Sequence, residues 1–510
     1  MTTGIASPIV PKPPPPALRA VAAHGFAWAL TQIMCVKGLG FLTQIVTARL
    51  LLKEQFGTVA LALTVSMFVN LVHQGGLRES LSKRQSEFDE WSTDAFWFSC
   101  LCGLLAIVLL LVAAPIAAQL YGKPELELFT LILGTAIPFQ VVSNVAWIKM
   151  QVDMRFKAIA LITLANTIVI SAVSIGLALA GWGAYALLLP VPIVSAFHML
   201  IALCMAGAVI NVRTLRPWRW LVLTKEGLLL TAAFAFITVT QQGDYFALQM
   251  ITRSPELVGI YFLAFTLSMQ TASILTTALN SVLLPVLSRM QDNRQRQAAA
   301  FLSATRMLAV VASLPCLMQA VLAEPIVLLL FGEKWLPSVP ALCVLSIGML
   351  ARVVTMGAQT LLKAQGSFRL YLTWSALYAV AFVPAVLLGA RLGSIIGVAI
   401  AVSLCMWIAE LLCVWLSIRG GGMGWLNVFR AITTPILLAA TCAVAAFGFD
   451  RVVQSLLSDQ PAVRIAVVGA FSVCLYAMGL RIVSRTDAMQ IVALLRRRSG
   501  GGNAVDAAAG

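Results

Sequence analysis

The sequence predicts an all-α polytopic membrane protein of about 14 transmembrane helices, arranged as two pseudo-symmetric six-helix lobes plus two extra C-terminal helices. Three observations predict it. The chain is 60% hydrophobic and only 11% charged, with a mean hydropathy of +0.93, whereas soluble domains carry about 25% charged residues. Apolar runs long enough to cross a bilayer core, about 20 residues each, recur along the whole chain. They are continuous rather than alternating in polarity, which excludes a transmembrane barrel.

The elements follow in order. Residues 1–19 read as a disordered cytoplasmic tail, and the run Lys12-Pro13-Pro14-Pro15-Pro16 ahead of the first apolar stretch argues against a cleavable signal. The N-lobe, 20–211, holds segments 20–48, 57–74, 94–120, 126–148, 158–180 and 185–209. A basic cytoplasmic linker, 212–225, leads to the C-lobe, 226–420, with segments 226–250, 258–284, 298–322, 339–362, 370–390 and 394–418. Two more segments, 429–449 and 462–482, lie within 428–484, and 485–510 read as a cytoplasmic tail with a glycine-rich end.

Charge sets the orientation. With the amino terminus inside, 25 of the 35 Lys and Arg residues fall in cytoplasmic loops and 8 outside. That is a strong positive-inside bias. Most of the net charge of +15 is therefore topology, and nucleic acid is not an expected partner. The arginine run 496–498 reads as an anionic-lipid contact. The ten cysteines sit almost entirely within apolar runs with no C-x-x-C pair, and His24, His73 and His198 are scattered, so no metal site is expected.

The chain also repeats itself. Phe56-Gly57 and the run to Met67 return as Val258-Gly259 and the run to Met269. Leu120-Tyr121-Gly122 returns as Leu330-Phe331-Gly332. Lys149, Gln151 and Arg155 return as Lys363, Gln365 and Arg369. Six helices per repeat give both lobes the same topology about an axis along the membrane normal, an architecture suited to alternating access.

Several stretches resemble the polysaccharide transporter branch (O-unit flippase type) of the multidrug/oligosaccharidyl-lipid/polysaccharide flippase superfamily. They are Phe56-Gly57 through Gly75-Gly76-Leu77 to Lys83-Arg84, Thr93-Asp94-Ala95-Phe96-Trp97-Phe98, Gln119-Leu120-Tyr121-Gly122 with Pro124, and Met154-Arg155-Phe156-Lys157. The second lobe adds Asp244 with Gly259-Ile260-Tyr261, Phe331-Gly332-Glu333-Lys334-Trp335 and Lys363-Ala364-Gln365-Gly366. The resemblance spans roughly residues 20–420. It implies a non-enzymatic flippase carrying an undecaprenyl-diphosphate-linked oligosaccharide from the cytoplasmic to the periplasmic leaflet of a bacterial inner membrane, for exopolysaccharide or lipopolysaccharide. A polysaccharide polymerase and a chain-length regulator are the protein partners expected beside the lipid-linked glycan and the bilayer. Asp244 and Arg352 fit recurrent acidic and basic positions of the family; Lys37 matches none.

The residues supply their own case for a polar cavity. A charge near the bilayer centre costs about 2.5–3.5 kcal/mol on insertion scales, so it faces a cavity or a partner. Lys37 and Arg352 are the two cations in mid-span, and Arg306 lies within the first two turns of its helix. These three are the candidates for the diphosphate, because arginine grips phosphate bidentately and lysine acts as a point charge. Polar stripes at helical spacing are candidates for the glycan: Gln140 and Asn144 in segment 4, Gln241 and Tyr245 in segment 7, Gln270, Thr277 and Asn280 in segment 8, and Gln359 in segment 10. Asp244 and Glu410 are the candidates for proton or sodium coupling; no cofactor is expected.

Simpler explanations compete. The mid-span cations would serve equally to neutralise Asp244 or Glu410, polar stripes often only bridge helices, and Arg306 suits a snorkelling anchor. Two relatives in function, an ion-coupled multidrug antiporter and a lipid II flippase, fit the same architecture. A glycan polymerase fits less well, because no outer loop is long enough to house chemistry.

Overall fold

The structure is a computed structural model. It describes residues 16–74, 77, 80–81, 84, 87–206, 216, 218–288, 293–456, 460–484 and 489, and within these the side chains of 16–31, 73–74, 226, 229–230 and 275–288 are not described. The predicted tails therefore lie almost wholly outside the described residues. Every regular element described is helical.

The first six predicted segments fall on α1 (Pro16–Leu50), α2 (Lys53–Gln74), α3 (Phe88–Tyr121), α4 (Glu125–Gly134) with α5 (Ile137–Val152), α6 (Phe156–Leu179), and α7 (Tyr185–Leu188) with α8 (Pro190–Ala206). The next six fall on α9 (Trp218–Thr252), α10 (Pro255–Ser288), α11 (Arg294–Val321), α13 (Val339–Thr355) with α14 (Gly357–Ala364), and α15 (Phe368–Ile418). The short α12 (Ala323–Leu330) precedes α13; α16 (Trp425–Leu456) and α17 (Pro461–Val483) follow. Among the described residues, twelve helical stretches are long and apolar enough to cross a membrane, and the protein is a multi-pass membrane protein.

Helix α15 shows why length matters. Its 51 residues would reach about 75 Å as one straight helix, more than twice a bilayer core. The backbone turns back at Gly393 and Ser394, where Ser394 takes φ 50°. Gly389 and Gly397 face each other beside the turn, and a Cβ on either would run into the other's carbonyl. Small residues let the two limbs pack at backbone distance.

Burial is inverted relative to a soluble protein. On α3, Leu104, Leu105, Leu111, Val112 and Ile116 are exposed, on a span of mean hydropathy 2.8. That surface suits lipid, since the helix satisfies its own backbone.

Two structural details add to the sequence reading. The helix of α9 begins at Trp218, inside the stretch 212–225 read as linker. Its first turn is held by α3: the Arg216 amide donates to Asp94 Oδ1 at 2.7 Å, Arg219 Nη1 to Oδ2 at 3.1 Å, and Trp220 Nε1 to the Asp94 carbonyl at 3.0 Å. The two extra C-terminal helices α16 and α17 are tied to the C-lobe through the Tyr476 hydroxyl, which donates to the Val310 carbonyl at 2.8 Å, and to each other through Arg464. Arg464 pairs bidentately with Asp450 at 2.7 and 2.6 Å and reaches Glu324 at 3.3 Å. Breaking a buried pair strands a charge and costs about 3–5 kcal/mol. Asp450→Ala should therefore lower the thermal unfolding midpoint in detergent sharply, while Glu324→Ala, at the half-exposed partner, should shift it little.

Candidate functional site

The two lobes meet along α2 and α10, and the contact is reciprocal. Gly57 on α2 lies against the Pro255 carbonyl and the Gly259 amide; Gly259 on α10 lies against the Lys53 carbonyl and the Gly57 amide. These are the two glycines that the repeat aligns. Further into the span, Thr64 Oγ1 donates to Gln242 Oε1 at 3.2 Å, and Gln44 Nε2 donates to Thr266 Oγ1 at 2.7 Å. Thr64 and Thr266 occupy equivalent repeat positions, so each lobe's threonine meets a glutamine of the other. An interface in which the same patch serves both sides is isologous, as in a twofold dimer.

The end of this interface on the side whose loops hold fewer Lys and Arg residues is sealed. Arg49 donates to the carbonyls of Leu330 and Leu329 at 2.8 and 2.6 Å, and Lys334 donates to those of Arg49 and Leu51 at 2.8 Å each. Trp335 Nε1 donates to the Ala48 carbonyl at 2.9 Å, and its ring meets Phe56 edge-on. Lys53 bridges to Glu256 at 3.0 Å. The counterpart across the pseudo-axis is weaker: Gln249 Nε2 reaches the Tyr121 carbonyl at 3.4 Å. Backbone carbonyls at helix ends lack intrahelical partners, so these cations cap one lobe's helices with the other lobe's side chains.

Behind the seal, the predicted polar residues divide into groups. Glu410, 5% exposed, accepts from Thr355 Oγ1 at 3.0 Å and from Gln359 Nε2 at 3.3 Å. These two donors stand on either side of the break at Met356 between α13 and α14. Arg352, one turn earlier, is half-buried and forms no salt bridge among the described residues. The segment-10 stripe is thus organised around Glu410, a partner that helical spacing alone does not identify. Asp244 is fully buried, accepting from the Tyr261 hydroxyl at 2.9 Å and the Tyr245 amide at 3.0 Å. Tyr245, at 3% exposure, packs edge-on to Tyr261 and Phe265. In this conformation its ring belongs to that aromatic wall.

Lys37 is half-buried on α1 and has no hydrogen-bond or ionic partner among the described residues. Arg306 turns towards the appended helices, with Nη2 donating to Ser484 Oγ at 3.3 Å. Gln241, Gln270 and Asn144 are half-buried, and Gln140 donates to Ser195 Oγ at 3.3 Å. The side chains of Thr277 and Asn280 lie outside the described residues.

The family model for "polysaccharide biosynthesis protein" matches residues 46–340. The succinoglycan biosynthesis transport protein ExoT of Rhizobium meliloti is 29% identical, over 84% of this chain and 85% of that one. The lipopolysaccharide biosynthesis protein WzxC of Escherichia coli is 22% identical, over 86% of this chain and 90% of its own. Among solved structures, the lipid II flippase MurJ in an inward closed conformation superposes with a TM-score of 0.73 at 12% identity, covering 89% of this chain and 98% of that one. An inward-facing multidrug transporter of the MATE family gives 0.58 at 15% identity, over 79% and 99% of the two chains. Fold, repeat and family match agree: the chain belongs to the polysaccharide biosynthesis protein family and is a polysaccharide-flippase member of the multidrug/oligosaccharidyl-lipid/polysaccharide flippase superfamily.

Proposed function

We propose that the chain moves an undecaprenyl-diphosphate-linked oligosaccharide repeat unit from the cytoplasmic to the periplasmic leaflet by alternating access, without catalysis, supplying exopolysaccharide or lipopolysaccharide synthesis. The observation that carries the mechanism is the isologous lobe interface, sealed on the side whose loops hold fewer Lys and Arg residues. The charge tally supports a periplasmic position for that end and, for both termini, the cytoplasmic side of a bacterial inner membrane. Opening the seal while the opposite end closes would deliver the headgroup outward. The names of the relatives, transport and biosynthesis proteins for succinoglycan and lipopolysaccharide, support the substrate class.

In this reading Arg352 and Lys37 hold the diphosphate, and the half-buried Gln and Asn residues meet sugar hydroxyls. Arg306 is the third cation proposed earlier for the diphosphate; its bond to Ser484 suits an anchor better. Outward movement of one negative charge through an inside-negative potential is favoured by about 2.3 kcal/mol per 100 mV, so the step has a driving force even without ion coupling. Asp244 and Glu410 are the groups to test for proton or sodium coupling. A polymerase and chain-length regulator would draw the product away.

Deleting the gene should accumulate lipid-linked repeat units in the cytoplasmic leaflet and abolish polymer at the cell surface. Loss of drug resistance with polymer retained would refute the proposal in favour of an antiporter.

A further inference from the structure

Three helices of the N-lobe meet at a polar cluster separate from the Arg352–Glu410 group. Helix α5 contributes Gln140 and Trp147, α6 contributes Asn166, and α8 contributes Ser195 and His198. The Asn166 amide nitrogen lies 2.7 Å from His198 Nδ1. The rings of Trp147 and His198 are 4.9 Å apart at 55°, and Gln140 donates to Ser195 Oγ at 3.3 Å. All five side chains are half-buried, whereas Val141, Val145 and Ile148, which alternate with them on α5, are buried. The polar face of α5 is therefore its less buried face.

Bridging between helices accounts for the Gln140–Ser195 bond. It accounts for the Asn166–His198 bond as well, but not for the Trp147 indole set against the His198 ring or for the second imidazole nitrogen. The Asn166 amide occupies Nδ1 in either amide orientation and fixes the ring, leaving His198 Nε2 with no hydrogen-bond partner among the described residues. The half-buried indole of Trp147 stands beside that imidazole. The substrate proposed above has three chemical parts, and the cluster suits one of them. A diphosphate requires cations, and the cluster contains no Lys or Arg. A prenyl chain would leave the imidazole and amides unpaired, which is costly away from water. A pyranose offers an apolar CH face for the indole and in-plane hydroxyls for the imidazole and amide, the aromatic-plus-few-polar composition of ligand sites.

We infer that Trp147, His198 and Gln140, with Asn166 orienting the imidazole, form a glycan subsite that takes one neutral hexopyranose unit of the carried oligosaccharide. The inference rests on the lipid-linked glycan reading of the function.

The test is titration of the purified full-length chain by native mass spectrometry with four probes: undecaprenyl diphosphate, and undecaprenyl diphosphate bearing glucose, galactose or N-acetylglucosamine. At least one glycosylated probe should bind about tenfold tighter than the bare lipid, the gain from one or two good contacts. Trp147→Ala and His198→Ala should each shrink that preference to about twofold while leaving affinity for bare undecaprenyl diphosphate unchanged. Trp147→Phe, which keeps a stacking face, should retain most of it. The subsite is overturned, with the flippase reading intact, by equal binding of all four probes or by a preference that survives both alanine variants. Binding of no probe overturns both.

Discussion

Gly57→Ala should abolish outer closure and stop transport. A Cβ at this position would land on the Pro255 carbonyl and crowd the Gly259 amide, both backbone groups that no rotamer change can move. The helices must separate, and overpacking of this kind costs about 1–3 kcal/mol. Gly259→Ala should do the same, because its Cβ would meet the Lys53 carbonyl. The two changes share one crossing, so the double variant should lose less stability than the two singles added together. Thermal unfolding in detergent measures the stability, and the labelling rate of a cysteine introduced at Phe56 measures the opening. Wild-type stability with wild-type protection of that cysteine would show that the crossing does not form the seal.

Arg352→Ala should reduce transport at least about tenfold, from loss of charge-assisted phosphate contacts, at unchanged protein level. Glu410 remains held by Thr355 and Gln359, so the fold has little reason to collapse. Arg352→Lys should recover only part, since a point charge replaces a bidentate grip. The competing explanation is that Arg352 merely neutralises Glu410. In that case Glu410→Gln should rescue Arg352→Ala, because removing both charges restores the balance. No rescue is expected; polymer export by each variant in a deletion strain is the readout.

The spans and the duplication are legible because each depends on local composition or on self-similarity. The repeat even aligned Gly57 with Gly259 and Thr64 with Thr266. It did not reveal that the aligned residues touch across the pseudo-axis, since an internal repeat carries no information about how its copies dock. Helical spacing puts Gln359 on a polar face, yet a face has no address until Glu410 is seen opposite. Tyr245 shares a face with Gln241 by the same spacing, and only the fold shows that it packs against Tyr261 beside Asp244. His198 was set aside as an isolated histidine. Its partner Asn166 is 32 residues away in sequence, and no motif spans such a gap. The cues available were Trp147, in the segment-4 stripe, and the polar residues Ser195 and His198 in an otherwise apolar segment 6. Asp94 had been noticed only as part of a family-like stretch; its hold on Arg216 and Arg219 required the fold to bring α3 to the start of α9.

The central claim is that this chain carries a lipid-linked glycan across the bilayer through the space between its lobes. The direct measurement reconstitutes the purified chain into vesicles whose inner and outer leaflets both contain a fluorescent undecaprenyl-diphosphate-linked oligosaccharide, and follows quenching by a membrane-impermeant reductant. With wild-type protein the quenched fraction should rise from about half, the outer leaflet alone, to nearly all, and Arg352→Ala and Gly57→Ala should leave it near half. A quenched fraction that stays near half with active wild-type protein, or that rises equally with both variants, would contradict the account.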